Sequence, residues 1–533
     1  MSLQAQFSRS RTETFTSALL LAGVMLACLA EAFTGTALSF GKLDMMGDIY
    51  TTPDEFAFLD VGYTAAKLCG FMIVPALFAR YRPLTVIQTA IISIAVFSLL
   101  MASTVSLYPL VCFRMAQGLA GGIILVGGQS LLFSFFSEKA QPITQLIFAI
   151  GAVVFPATFV SLFEGWMVDA LSWEAIFFTA AGLGALGLFF LAGVSLKVMR
   201  HSGPKRADGL GFFLFAVAAF CLTYVAQEGS RWNWFEATHI LVITLVGFAA
   251  LLTCVIRWVL YSKQKGIVNL AVFANRDFCF GFLVSVAAGV ALFGSNWLIP
   301  GFTMNVLGYT ATDAGALIGF GGLVFVLSLT VTALLLILTP VKPLATVPLG
   351  LFLIMVGLWL FSGATSDSGN TDLLLPLLIR GTGLGFLFLS LTIYALGGLR
   401  GDHIAQGVAL FTTHRQFGGL FGVAFLQRYL DHQNALNNSV LSSHLETGGV
   451  LLAERLSSIQ AALQSRGMEA GEAARASVVY LKKSLGTQGG TISHNEAFLM
   501  IVVVLCCVAP LLISFKIWLA KRGSAHTALN GIE

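Results

Sequence analysis

Phe113-Arg114-Met115-Ala116-Gln117-Gly118-Leu119-Ala120-Gly121-Gly122 sets an arginine and a glutamine inside a predominantly apolar stretch running from about 108 to 136. That stretch exceeds the ~20 residues a helix needs to cross ~30 Å of hydrocarbon. A charge at such depth costs at least ~2.5–3.5 kcal/mol on insertion scales, so Arg114 needs a partner, a water-filled cavity or a task. Gly118, Gly121 and Gly122 are small-residue positions of the kind that let helices pack closely in lipid. The segment reads as a membrane-spanning helix with a polar purpose.

The surrounding chain has the same character. Hydrophobic residues make up 57% of the 533, and only 11% are charged, against roughly 25% in a soluble domain. Mean hydropathy is +0.86, and no water-soluble fold could hide that much apolar surface. The solvent is bilayer, and nucleic acid is not among the expected partners. Cys28, Cys69, Cys112, Cys221 and the Cys506-Cys507 pair lie in apolar runs with no CxxC, so no disulfide framework, metal site or cofactor is indicated. The first apolar run, from about Phe15, is too long for a cleaved signal peptide and is expected to stay as the first span.

Applying the 20-residue ruler predicts fourteen spans, near 15–38, 57–79, 84–104, 108–136, 142–165, 173–197, 209–228, 236–261, 278–300, 311–338, 343–363, 372–398, 403–428 and 496–520. With the N-terminus inside, the inner connections hold Arg9, Arg11, Arg80, Arg82, Lys139, Lys197, Arg200, Lys205, Arg206, Lys263, Lys265, Arg276, Lys342, Arg400, Lys521 and Arg522. The short outer loops hold only Lys42 and Arg231, so the lysine and arginine bias places both termini in the cytoplasm. A long polar loop, 431–495, is expected outside. Within it Leu452, Leu456, Ile459 and Leu463 recur at helical spacing, and 470–485 suits a second helix after a break at Arg466-Gly467. The basic segment 199–208 is the best linker after the first six spans. Trp166, Trp173, Trp232, Trp234 and Trp297 fall near outer boundaries, as an aromatic belt does, and no binding role is assigned to them.

Polar residues at membrane depth are functional candidates. They are Glu31, Asp60, Lys67, Arg114, Glu164, Arg380 and the pair His414-Arg415. Glu31 lies past the middle of the first span, and a carboxyl that switches between protonated and paired states is what proton coupling requires. The alternative is a permanent structural pair with Lys67 or Arg114, and coupling or substrate contact is the favoured reading. Asp60 and Lys67 are two turns apart on one helix face; Lys67 is placed either to hold Glu31 or to contact an anionic substrate. His414 suits proton transfer or an interhelical hydrogen bond, and Gly418, Gly419 and Gly422 follow at close-packing spacing.

The quoted stretch resembles the R-x-x-Q-G-x-x-G-G motif of major facilitator drug:proton antiporters, and fourteen spans are similar to the EmrB/QacA group, EmrB especially. The resemblance implies an all-α fold of two six-helix bundles with two inserted helices. It divides the chain into 1–198, 199–276 and 277–533, the last including 431–495. It implies that Arg114 serves proton transfer with Gln117 beside it, and that Glu31 is the group's first-span acid. Leu171 to Phe177 resembles the start of the group's sixth span, Gly308 to Gly315 the start of its tenth, and Arg415 to Ala424 part of its thirteenth. Ile492 to Phe498 is similar to the end of the long outer loop in EmrB. Two departures stand out: the gating loop carries Ala79 and Arg82 where the group has aspartate and glycine, and the fifth-span antiporter signature survives only as Gly151 and Pro156.

The implied activity is proton-coupled export of an amphipathic small molecule across the inner membrane of a bacterium, working with a periplasmic EmrA-like adaptor. Proton coupling is expected of Glu31, Arg114 and His414, and the substrate cavity of Glu31, Lys67, Gln117, Arg380 and Arg415. Coupled transport of a specific metabolite such as a siderophore is the alternative, and the four intramembrane cations Lys67, Arg114, Arg380 and Arg415 favour an anionic substrate. A lipid-modifying enzyme is the rival from another class, but the chain has no HExxH, GxSxG or metal-ligand spacing.

Overall fold

The computed structural model describes residues 3–194, 208–261, 269–443 and 449–529, and every regular element among them is helical. The basic residues expected at 197, 200, 205, 206, 263 and 265, and most of the 199–208 linker, lie outside that set. The chain runs through α1 (Leu3–Phe40), a short α2 (Lys42–Asp48), α3 (Pro53–Arg80), α4 (Pro83–Ala102) and α5 (Leu107–Phe135). A fifth span follows as α6 (Gln141–Ala149), a π-helical stretch (Ile150–Phe159) and α7 (Val160–Ala170), then α8 (Glu174–Ala192), α9 (Gly209–Glu228) and α10 (Thr238–Tyr261). The ninth span comprises α11 (Arg276–Gly289), a π stretch (Val290–Gly294) and α12 (Ser295–Asn305). The rest are α13 (Ala311–Leu338), α14 (Pro343–Phe361), α15 (Asn370–Leu396), α16 (Asp402–Ser443), α17 (Val450–Gln464) and α18 (Ala470–Leu529).

Local chemistry sets the starts. Thr52 and Glu55 form a capping box at α3, with Pro53 in its first turn, and the side chains of Asp208, Asn275 and Thr310 cap α9, α11 and α13. These groups satisfy backbone N–H donors that a helix start leaves unpaired. Thirteen of the described helices are long and apolar enough to cross a membrane. The fourteenth expected span is α16, whose 42 residues are ample but whose centre is diluted by Thr412, Thr413, His414, Arg415 and Gln416. Large apolar side chains such as Phe189, Phe213, Leu245, Leu252 and Leu327 are exposed around the outside, which only a hydrocarbon solvent tolerates.

Two differences from expectation have clear causes. The fifth span was expected as one helix over 142–165, but Pro156 has no N–H to donate and sits in the widened π turn. The long polar segment does hold a helical hairpin, turning where Gly467 adopts φ +93°, a conformation glycine takes without strain. That segment is also built from its flanking spans: α16 runs on to Ser443, and α18 is one helix of 60 residues that begins at Ala470. The end carrying 431–495 is here the upper end.

Within the bundle, α3 packs along α5, and α4 and α8 pack on each other and on α5 and α1 respectively. On the other side α15 packs with α13 and α14, and α11 with α16. Helix α16 also reaches α3 and α5, α13 reaches the fifth span, and α9 lies on α10 and α3 while touching α16.

Candidate functional site

The stretch that opened the reading places the site. A methyl group at Gly118 would run into the backbone carbonyl of Tyr63, and one at Gly122 into that of Lys67. Gly70 on α3 meets the carbonyl of Leu119 in return. These glycines bring the α3 and α5 backbones together, which fixes where Tyr63 and Lys67 point. Gly121 leaves room for Glu31, whose Cγ would lie 2.7 Å from a Cβ at that position.

The Glu31 carboxylate on α1 is 2% exposed. Its Oε1 pairs with Lys67 Nζ and accepts the Tyr63 hydroxyl at 2.8 Å. The Arg114 guanidinium is fully buried and stacks on the Tyr63 ring, 4.2 Å from its centroid. Arg114 Nη1 donates to the Thr34 carbonyl at 2.6 Å and to Gln117 Oε1 at 3.3 Å. Gln117 in turn donates to Ser98 at 3.0 Å on α4, so it is committed to helix packing. Arg114 Nε and Nη2 have no hydrogen-bond partner among the described residues. Arg114 therefore touches Glu31 only through Tyr63, and Lys67 is the direct counter-ion. Glu164, nearby on α7, is buried and accepts from Thr36 at 2.8 Å.

The second set of candidates is built differently. Arg380 donates to Ser295 Oγ at 2.8 Å and to Asn296 Oδ1, the two residues that follow the π stretch of the ninth span. Arg415 lies over the rings of Phe388 and Phe411, 4.4 and 5.6 Å from their centroids. His414 stacks on Phe282 with centroids 3.8 Å apart, and its Nδ1 is 2.8 Å from the Phe282 carbonyl. A carbonyl only accepts, so that nitrogen carries the proton. Gly418 lets α16 approach the Val286 carbonyl, Gly422 receives Val290, and the Phe293 ring fills the space at Gly419.

Two cavities flank α16. One, of about 590 Å³, is almost wholly apolar and holds His414, Phe417 and Phe421 opposite Phe248 of α10. The other, of about 510 Å³, lies toward the upper end between α1, α3, α9, the ninth span and α16; Asp60, Gln227, Glu228, Gln416, Phe293 and Trp297 line it. The structure thus gathers Glu31, Lys67 and Arg114 at one place, with Gln117 behind, and leaves Arg380, Arg415 and His414 elsewhere. Trp297 lines the second cavity, and Trp173 is buried and donates to Asp48 at 2.7 Å; neither is a simple belt residue.

Sequence reasoning missed Tyr63, the group at the centre of the cluster. The one available signal was its position four residues before Lys67, one turn away on the same face. It also missed Gln227, which approaches Asp60 from a different span.

The sequence profile described as Major Facilitator Superfamily matches residues 20–423. The chain is 24% identical over 516 residues to "Multidrug export protein EmrB" of Haemophilus influenzae, covering 95% of this chain and 97% of that one. It is 24% identical over 437 residues to "Colistin resistance protein EmrB" of Acinetobacter baumannii, covering 79% and 81%. Among solved structures, the human organic anion transporter MFSD10 superposes with a TM-score of 0.54 at 11% identity, covering 92% of this chain and 99% of that one.

Proposed function

Because this chain belongs to the Major Facilitator Superfamily, we propose that it is a proton-coupled secondary transporter exporting amphipathic small molecules, as in multidrug efflux, by alternating access. The observation that carries the coupling is the Glu31 cluster. A buried carboxylate bonded to a lysine and a tyrosine hydroxyl holds its charge through those two partners. A proton arriving on Glu31 removes the attraction to Lys67 and frees that amine. Arg114 acts on the same centre through the Tyr63 ring. His414, which lines the apolar cavity beside α16, is a second proton-carrying candidate.

The arrangement in the membrane follows the charge bias. We assign both termini to the cytoplasm and the upper end to the periplasm of a bacterial inner membrane. Residues 1–198 then form one bundle, 277–533 the other, and 199–276 the linker and inserted pair; the packing of α9 on α10 and α3 supports that division. Rocking of one bundle against the other about a midplane site supplies alternating access. The 431–495 segment is where an EmrA-like adaptor would dock.

Purified protein in proteoliposomes under an imposed pH gradient tests the scheme. Glu31→Gln is expected to abolish gradient-driven export while leaving substrate exchange measurable. Full gradient-driven transport by that variant would show that coupling resides elsewhere.

A further inference from the structure

The gating loop, with Ala79 and Arg82 where its family has aspartate and glycine, stands at the mouth of a groove outside the bundle. Helices α3 and α4 both pack on α5, yet they scarcely touch each other, although only Tyr81 and Arg82 join them. A space of about 570 Å³ opens between them, with α3 and α4 as walls and α5 as floor. Ala116 and Ala120 keep that floor low. The exposed Ile92 and Val96 lie beside its α4 wall, so the groove faces hydrocarbon.

Its length and lining suit one acyl chain. The α4 wall runs from Thr85 to Phe97, ~18 Å at ~1.5 Å per residue, close to one leaflet's half of ~30 Å of hydrocarbon. The polar side chains in the lining are the hydroxyls of Tyr81, Thr85, Thr89 and Ser93, and none is charged; Thr89 donates to the Val86 carbonyl at 2.9 Å. Charge stands at the lower mouth instead. The Arg80 guanidinium lies 5.6 Å from the ring centroid of Tyr81, which lines the groove. Arg80 and Arg82 are exposed, and neither makes an ion pair or hydrogen bond among the described residues. No acidic residue occurs between Asp60 and Glu138, so the lower half of α3, all of α4 and all of α5 offer these arginines no counter-ion. Glu138, just beyond α5, is paired with Arg400.

An apolar slot one leaflet long, with two guanidinium groups at its interfacial end, matches a lipid whose phosphate head keeps a net negative charge. We propose that this groove binds an anionic glycerophospholipid of the leaflet at the lower end, one acyl chain lying between α3 and α4 and the phosphate held by Arg80 and Arg82. A zwitterionic lipid brings an ammonium group that two arginines disfavour, which makes the site selective. The site goes beyond the transport reading and does not depend on it. It bears on the Glu31 cluster all the same, because α3 carries both Tyr63 and Lys67 and the bound chain sets the spacing of α3 from α4.

Native mass spectrometry on the full chain, titrated in detergent micelles with dipalmitoyl phosphatidylglycerol or dipalmitoyl phosphatidylcholine, tests this. The phosphatidylglycerol is expected to bind about tenfold tighter, the scale of one charge-assisted hydrogen bond. The double variant Arg80→Gln/Arg82→Gln is expected to bring the two lipids level without weakening phosphatidylcholine. Thr89→Phe, which fills the groove from an exposed position, is expected to weaken both lipids about threefold. Lys342→Gln removes an exposed lower-end cation at the start of α14 and should leave the preference intact. If it erases as much of the preference as the arginine pair does, general surface charge is responsible and the site is overturned. A preference untouched by the arginine pair overturns it too, as does phosphatidylglycerol bound by Thr89→Phe as tightly as by the parent. Full displacement of the lipid by equimolar glycerol 3-phosphate, the head without its chains, would reduce the site to a phosphate contact and reject the groove. Protein dimers in place of lipid adducts would give the groove to a second copy of the chain. If Thr89→Phe does not fold, the arginine pair decides alone.

Discussion

Tyr63 offers two groups to two neighbours, its hydroxyl to Glu31 and its ring face to Arg114. Tyr63→Phe keeps the ring and removes the hydroxyl, so the fold should hold while coupled export falls about ten- to a hundredfold, given ~1.5–3 kcal/mol for a hydrogen bond to a charged group. Tyr63→Leu also removes the surface beneath a guanidinium whose Nε and Nη2 have no partner among the described residues. That variant should lower the thermal midpoint as well, and the two effects separate by measuring proton flux and unfolding on the same preparations. At this scale the charges were legible because each violates the apolar rule for a span. Tyr63 was not, since one more aromatic among 45 phenylalanines and ten tyrosines breaks no pattern. Which cation meets Glu31 was open too, because spacing along α3 or α5 says nothing about α1.

Helix positions were largely legible from runs of apolar residues, since a bilayer imposes one length on all of them. What the runs concealed is helix beyond the bilayer: α16 and α18 continue through polar sequence, where hydropathy carries no signal. The π turn around Pro156 was equally hidden, although the proline itself was in view. The glycine motif gained a specific meaning, because each of its glycines admits one identified neighbour. Gly122→Ala drives a methyl group against the Lys67 carbonyl, and backbone cannot step aside as a side chain can. Overpacking of that kind costs ~1–3 kcal/mol, so the variant should unfold at lower temperature and also lose coupling through a displaced Lys67. Gly47→Ala, where a Cβ meets nothing within 4 Å, should change neither.

Across the whole molecule, the orientation rests on lysine and arginine counts and makes a direct prediction. In a background without native cysteines, a cysteine at Glu454 on exposed α17 should react with a membrane-impermeant maleimide added to spheroplasts. One at Lys139 should react only after permeabilisation, and the opposite pattern would invert the assigned topology. Lower-end contacts include a Glu138–Arg400 pair at 3.3 Å between exposed side chains. It is a crossing charge contact in a chain whose gating loop has Ala79 in place of an aspartate. Which intramembrane cations are already engaged was not legible, because counting them along a sequence does not reveal their partners. The 60-residue α18 adds a mechanical consequence. At ~1.5 Å per residue it is a rod of ~90 Å, of which only ~30 Å fits within hydrocarbon. A tilt of its buried portion is therefore magnified at its upper tip, where α17 packs along it, so a small gating movement inside the bilayer becomes a larger displacement that another molecule seated on that tip can sense.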